Sequence, residues 1–274
     1  MAIYLDGVSC ENYGIVVESY PKRIIPEKQY EILSVPGRNG DLIFDQNAYK
    51  NYTQTYSVFL KAESANLSVE GAVQKLNEWL TPALSGYATL RDDYDPNTYR
   101  LAYFSGGLDV SNIMNTQGRV DLEFYCKPQR FRYNKGTVSA TATGKAASAI
   151  VQAPTGFSLM PARPYIEAIA NGVTMVLTER RSTTDIARIT IPKTAIQSNS
   201  IYRVIVDCQN YIVYGLTLSG TKVNISESIQ IDGDFFEIPS GGDPIIFING
   251  TASDESFSSG AQVSISVTPN WWRL

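Results

Sequence analysis

Asp92, Asp93, Asp95 and Asn97 place four oxygen-bearing side chains within six residues. Calcium requires oxygen ligands at about that density, but the spacing departs from the EF-hand pattern and Pro96 favours a plain turn. Two carboxylates at the right separation would suffice for a glycosidase, and chain order alone does not disclose that separation. Histidine is absent. Its absence excludes Ser-His-Asp and Cys-His nucleophile systems, His-ligated metals and histidine acid–base catalysis. No glycine-rich phosphate cradle is present, and Ser105-Gly106-Gly107 and Ser240-Gly241-Gly242 read as turns. Cys10, Cys126 and Cys208 are odd in number and far apart, so they read as reduced thiols rather than disulfides or a metal site. No cofactor and no metal are expected, and the chain does not read as an enzyme. Trp271 and Trp272 could stack on a sugar ring or a partner, but packing into a core or interface is the stronger reading.

With 43% hydrophobic residues over 274 positions, the chain can fill two cores. Lys and Arg number 23 against 27 Asp and Glu. An even, slightly acidic balance argues against tight nucleic-acid binding, which needs a basic stripe to neutralise phosphates. The first residues lack a basic segment followed by a long apolar run, and no stretch approaches membrane-spanning length. The expectation is a chain made and folded in the cytoplasm, with no membrane insertion.

Period-two alternation dominates. Over residues 119–126, Val120, Leu122, Phe124 and Cys126 alternate with Arg119, Asp121, Glu123 and Tyr125, the pattern of a half-buried strand. Similar strands are expected at residues 56–61, 100–104, 202–208 and 262–268. One segment differs: Val69, Val73, Leu76 and Leu80 share one helical face, with Ser68 as N-cap and Pro82 as the expected stop. Strand patterning ends near residues 133–136, and an Ala-, Ser- and Thr-rich tract follows. The fold is therefore read as mainly β, with an N-terminal α+β domain of sheets plus one helix over residues 1–133. A β-sandwich is expected over residues 134–274.

Taken in order, these elements carry a family pattern. The strand MAIYLDGVSC is followed by Val35-Pro36-Gly37-Arg38-Asn39-Gly40-Asp41-Leu42, a helix ending Asn77-Glu78-Trp79-Leu80, Tyr99-Arg100-Leu101-Ala102 and residues 123–131. In the second half come Asp234-Phe235-Phe236-Glu237-Ile238-Pro239 and the closing segment through Trp271 and Trp272. The chain resembles the distal tail proteins of long-tailed siphophages. It departs from the family at Gly242-Asp243, where an Asn often follows the turn, and at Pro269-Asn270, where Pro-Arg often precedes the Trp pair.

The resemblance implies a homohexameric ring built by the N-terminal domains, with galectin-like or related C-terminal sandwiches projecting outward. Such a ring joins the tail tube protein to tail-tip or baseplate proteins at the virion tail tip and leaves a channel for DNA. Receptor-binding protein or host cell-wall carbohydrate are further expected partners. Gly37, Arg38, Asn39 and Gly40 are the candidate oligomer contact: two glycines permit positive φ around one exposed cation at a hairpin tip that reaches a neighbouring subunit. The rival reading is a carbohydrate-binding adhesion module that uses the tryptophans or surface tyrosines.

Overall fold

The computed structural model describes residues 1–61, 68–107, 111–114, 117–152, 162–169, 172–239, 243–252 and 262–273. The Ser240–Gly242 turn lies outside them. The chain divides into two compact units, Met1–Asn134 and Lys135–Arg273.

In the first unit the strands are β1 (Ile3–Leu5), β2 (Val8–Ser9), β3 (Ile15–Val17), β4 (Lys28–Leu33), β5 (Leu42–Tyr49) and β6 (Tyr52–Lys61). Helix α1 (Val69–Ser85) follows, then β7 (Ala88–Asp92), β8 (Thr98–Phe104), β9 (Ser111–Met114) and β10 (Gln117–Arg132). An antiparallel sheet runs in the order β2-β1-β7-β8-β10-β6-β3, with β9 set against the start of β10. Alternation decides its faces. Tyr56, Val58, Leu60, Leu90, Leu122 and Phe124 point inward and are buried, and Leu76, Trp79, Leu80 and Ala83 of α1 close over them. Trp79 also donates from Nε1 to the Val8 carbonyl at 3.0 Å, which satisfies its one polar atom.

Ser68 caps α1 as expected, its hydroxyl accepting from the Gly71 N–H at 3.3 Å. The helix does not stop at Pro82, which lies inside it. Only one ladder bond is lost there, and the Ser85 hydroxyl bonds the Thr81 and Pro82 carbonyls beyond it. Pairing of Ala83 with the sheet's apolar face carries the last turn onward. In β10 the register with β8 shifts between Cys126 and Arg130, around Pro128, where a missing N–H is best absorbed by a bulge.

The second unit contains β11 (Val138–Thr143), β12 (Ala146–Val151), β13 (Tyr165–Ile169), β14 (Met175–Arg181), β15 (Thr184–Ile191) and the short helix α2 (Lys193–Ser198). Then come β16 (Ile201–Asp207), β17 (Ile212–Thr217), β18 (Lys222–Asn224), β19 (Gln230–Asp232), β20 (Ile245–Thr251) and β21 (Gln262–Thr268). They form two antiparallel sheets, β11-β21-β13-β16-β17-β18 and β12-β20-β14-β15-β19. Ile166, Val204, Val206, Ile265 and Val267 of one sheet share a core with Leu177, Ile189, Ile191, Ile245 and Phe247 of the other, which makes this unit a β-sandwich. The Ala-, Ser- and Thr-rich tract is not linker but strands β11 and β12, whose small alternating side chains suit the sandwich edge. Helix α2 is too short to leave a helical period in the sequence.

Trp271 is 2% exposed within the sandwich core. Trp271→Ala should therefore cost about 3–5 kcal/mol, read by calorimetry of the whole chain as a selective early melting of the second unit's transition.

Candidate assembly interface

Among the described residues, strands β4 and β5 pair only with each other, as a two-stranded sheet. Directly opposed residues share a face. Tyr30 with Asp45 and Ile32 with Ile43 mark one face, and Glu31 with Phe44 and Leu33 with Leu42 mark the other. Both faces are thus apolar at their centres, and both lie open: Ile43 is 69% exposed, Ile32 56%, Tyr30 54%, Phe44 52% and Leu33 48%. Two strands with no core beneath them are marginal in water, so this arm is built to be covered.

The expected tip residues cap this arm. Val35 accepts from the Arg38 N–H at 3.1 Å, Pro36 occupies the second turn position and Gly37 the third at φ 82°, the requirements of a type II turn. Gly40 has φ 82° as well. Gly37, Arg38, Asn39 and Gly40 are all exposed. At about 3.3 Å per residue the arm reaches roughly 25–30 Å from base to tip. The tip was readable from Pro and Gly placement. The strands beneath it were not, although the run Leu42-Ile43-Phe44 already signals apolar side chains on both faces.

A buried polar cluster anchors the arm's base. Asp92 at the end of β7 is 1% exposed and Arg100 of β8 4%. Asp92 accepts from Arg100 at 3.0 Å, from the Tyr56 hydroxyl at 2.7 Å and from the Asp95 N–H at 2.8 Å. Burial alone would raise its carboxyl, but Arg100 and these hydrogen bonds outweigh it and hold the group below the usual range. Asp95 accepts from the Thr98 hydroxyl at 2.8 Å and lies 4.0 Å from Arg130. Arg130 in turn donates to the Ile24 carbonyl at 2.9 Å, while Lys50 N–H meets the Glu27 carbonyl at 2.8 Å. The segment entering the arm is thus tied to β10 at Ile24, and the two ends of the arm are tied to each other. The oxygen cluster read from the sequence as a solvated turn is one at Asp93 and Asn97, which are exposed, whereas Asp92 and Asp95 are buried beside Arg100 and Arg130.

Two comparisons with known proteins follow from this geometry. Residues 8–126 match the model of the phage tail protein RIFT-related domain. The matched residues lie within the first unit. Over 98% of both chains, the fold is similar to the SPP1 Dit (gp 19.1) protein, described as a paradigm of the hub adsorption apparatus in phages infecting Gram-positive hosts, with TM-score 0.62 and 12% identity. No curated protein sequence matches. Both findings agree with the resemblance to siphophage distal tail proteins read from residue order.

Several groups that could react are buried, among them Cys126, Cys208 and Glu179. Burial pushes the Cys126 and Cys208 thiols up to about 12, which keeps them protonated and inert. Glu179, raised by burial, is 1% exposed and bound by Arg181 at 2.8 Å and the Glu237 N–H at 3.2 Å. Trp271 lies in the sandwich core and offers no sugar platform. Among the described residues, no group of three or more His, Cys, Asp or Glu is placed to hold a metal, and no helix is long and apolar enough to cross a membrane.

Asp92→Asn should leave Arg100 as an uncompensated buried charge and cost the tail domain about 3–5 kcal/mol in denaturant unfolding. The folded carboxyl is depressed, so its stabilisation is present above pH about 4 and is lost as pH falls through the lower folded value. In the variant this acid-side loss should be smaller.

Proposed function

We propose that this chain is a structural subunit of a siphophage tail hub, assembling through its tail domain into a ring at the distal end of the tail. The single observation that carries this reading is the β4–β5 arm, apolar on both faces and uncovered among the described residues. A soluble monomer gains nothing from such an arm, whereas a ring covers it once per subunit and closes without a free end. The buried ion network supports the same reading, because it spends buried charge on fixing the arm's base rather than on a reaction.

The resemblance supplies the finer terms: six subunits, a tail tube protein on one side, tail-tip or baseplate proteins on the other, and a lumen for the genome. The net charge of −4 suits a passage to which phosphates do not adhere. Closed thiols, a sealed Glu179 and the missing histidine support a structural rather than a catalytic role. The sandwich unit is free to serve as the outward platform that the resemblance implies.

Solution mass and negative-stain images of the purified chain, alone and with tail tube protein, test this reading. Rings are expected; a strict monomer at high concentration in both samples overturns it. Ile32→Asp and Ile43→Asp should abolish rings while changing monomer stability by no more than about 0.5 kcal/mol, as exposed positions do.

A further inference from the structure

Strand β6 is covered unequally on its two sides. Against β10 it pairs along its whole length, from Tyr52 with Cys126 to Lys61 with Gln117. On the other side β3 reaches only Val58, Phe59 and Leu60, extended by the Glu18 N–H to the Ser57 carbonyl at 2.9 Å and the Lys61 N–H to the Gly14 carbonyl at 2.9 Å. Those two bonds show that odd-numbered residues of β6 aim their backbone groups to this side. By the alternation of a strand, Thr53 and Thr55 do the same. Among the described residues no backbone meets them there, and the Gln54 side chain reaches across, donating to the Lys22 carbonyl at 3.2 Å and more loosely to the Thr55 carbonyl at 3.4 Å.

The chain passing this open edge does not join the sheet, and Pro21 within it has no N–H to give. Between that segment and β6 lies a cavity of about 340 Å³ whose walls include Ser19, Lys22, Thr55, Ser57 and Asp121. Asp121 is exposed and makes no ion pair among the described residues. The arm tip holds the matching charge: Arg38 is exposed and likewise unpaired, while the arm's other cation, Lys28, is engaged by Asp45. An open strand edge recruits extended backbone, and a polar concavity with one free carboxylate selects a strand or turn that brings a cation.

We infer that the cavity beside Thr53 and Thr55 is the seat for the arm tip of a second copy of this chain, with Arg38 of the incoming tip on Asp121. This inference rests on the ring reading and adds its acceptor. The arm's reach of roughly 25–30 Å at about 3.3 Å per residue spans a small domain, so a tip can arrive from a neighbour while its base stays fixed. Tip backbone then meets the backbone groups of Thr53 and the N–H of Thr55, and the guanidinium finds the Asp121 carboxylate in the cavity wall.

Charge exchange tests it on the full chain. Arg38→Asp and Asp121→Arg should each raise the concentration needed for rings by about tenfold or more, since each places like charges together. The double variant Arg38→Asp with Asp121→Arg should recover most of that loss. Thermal melting of every variant controls for folding, and both positions are exposed. Single variants that assemble normally, while Ile32→Asp does not, overturn this seat and leave the ring reading intact. Single variants that fail, with a double variant that fails equally, also overturn the pairing. A wild-type chain that never assembles removes the ring reading and the seat with it.

Discussion

A carboxylate withdrawn from water must have its charge and its lone pairs answered, and Asp92 meets that condition only by drawing three separate strands together. Tyr56 comes from β6, Arg100 from β8, and Asp92 itself ends β7. Removing one member would leave a buried charge without its partner, so the cluster admits one arrangement of those strands and few others. Arg130 extends the same network to the Ile24 carbonyl. The segment that leads into the arm is thus tied to the buried network by one hydrogen bond.

The two units solve the problem of apolar surface differently. In the sandwich, the inner faces of both sheets meet in one core, and even the terminal Trp271 is taken into it. The first unit buries one face of its sheet beneath α1, whereas its β4–β5 arm has exposed apolar side chains on both sides. Surface that a chain cannot bury alone marks where another chain belongs. The proposed function accordingly rests on exposed apolar surface, that of the arm.

Much of the fold was legible in residue order, because period two and period 3.6 are properties of neighbours along the chain. Val120, Leu122, Phe124 and Cys126 declared an inward strand face, Ser68 with Leu76 and Leu80 declared a capped amphipathic helix, and Pro36 with Gly37 and Gly40 declared a turn needing positive φ. Local steric rules and burial of one face decide such features, so tertiary context had little to change. The family resemblance rested on the same ordered elements.

What tertiary structure alone decided involves partners distant in sequence. Whether Asp92 and Asp95 face solvent or arginine depends on β8 and β10 arriving beside them, and nothing within the Asp-rich segment specifies that arrival. Helix α1 outlasts Pro82 because its last turn is held by the sheet below, a gain that exceeds one missing hydrogen bond. The apolar residues of β4 and β5 look like core in sequence, since composition records how much apolar surface exists and not whether the chain's own fold supplies enough strands to cover it.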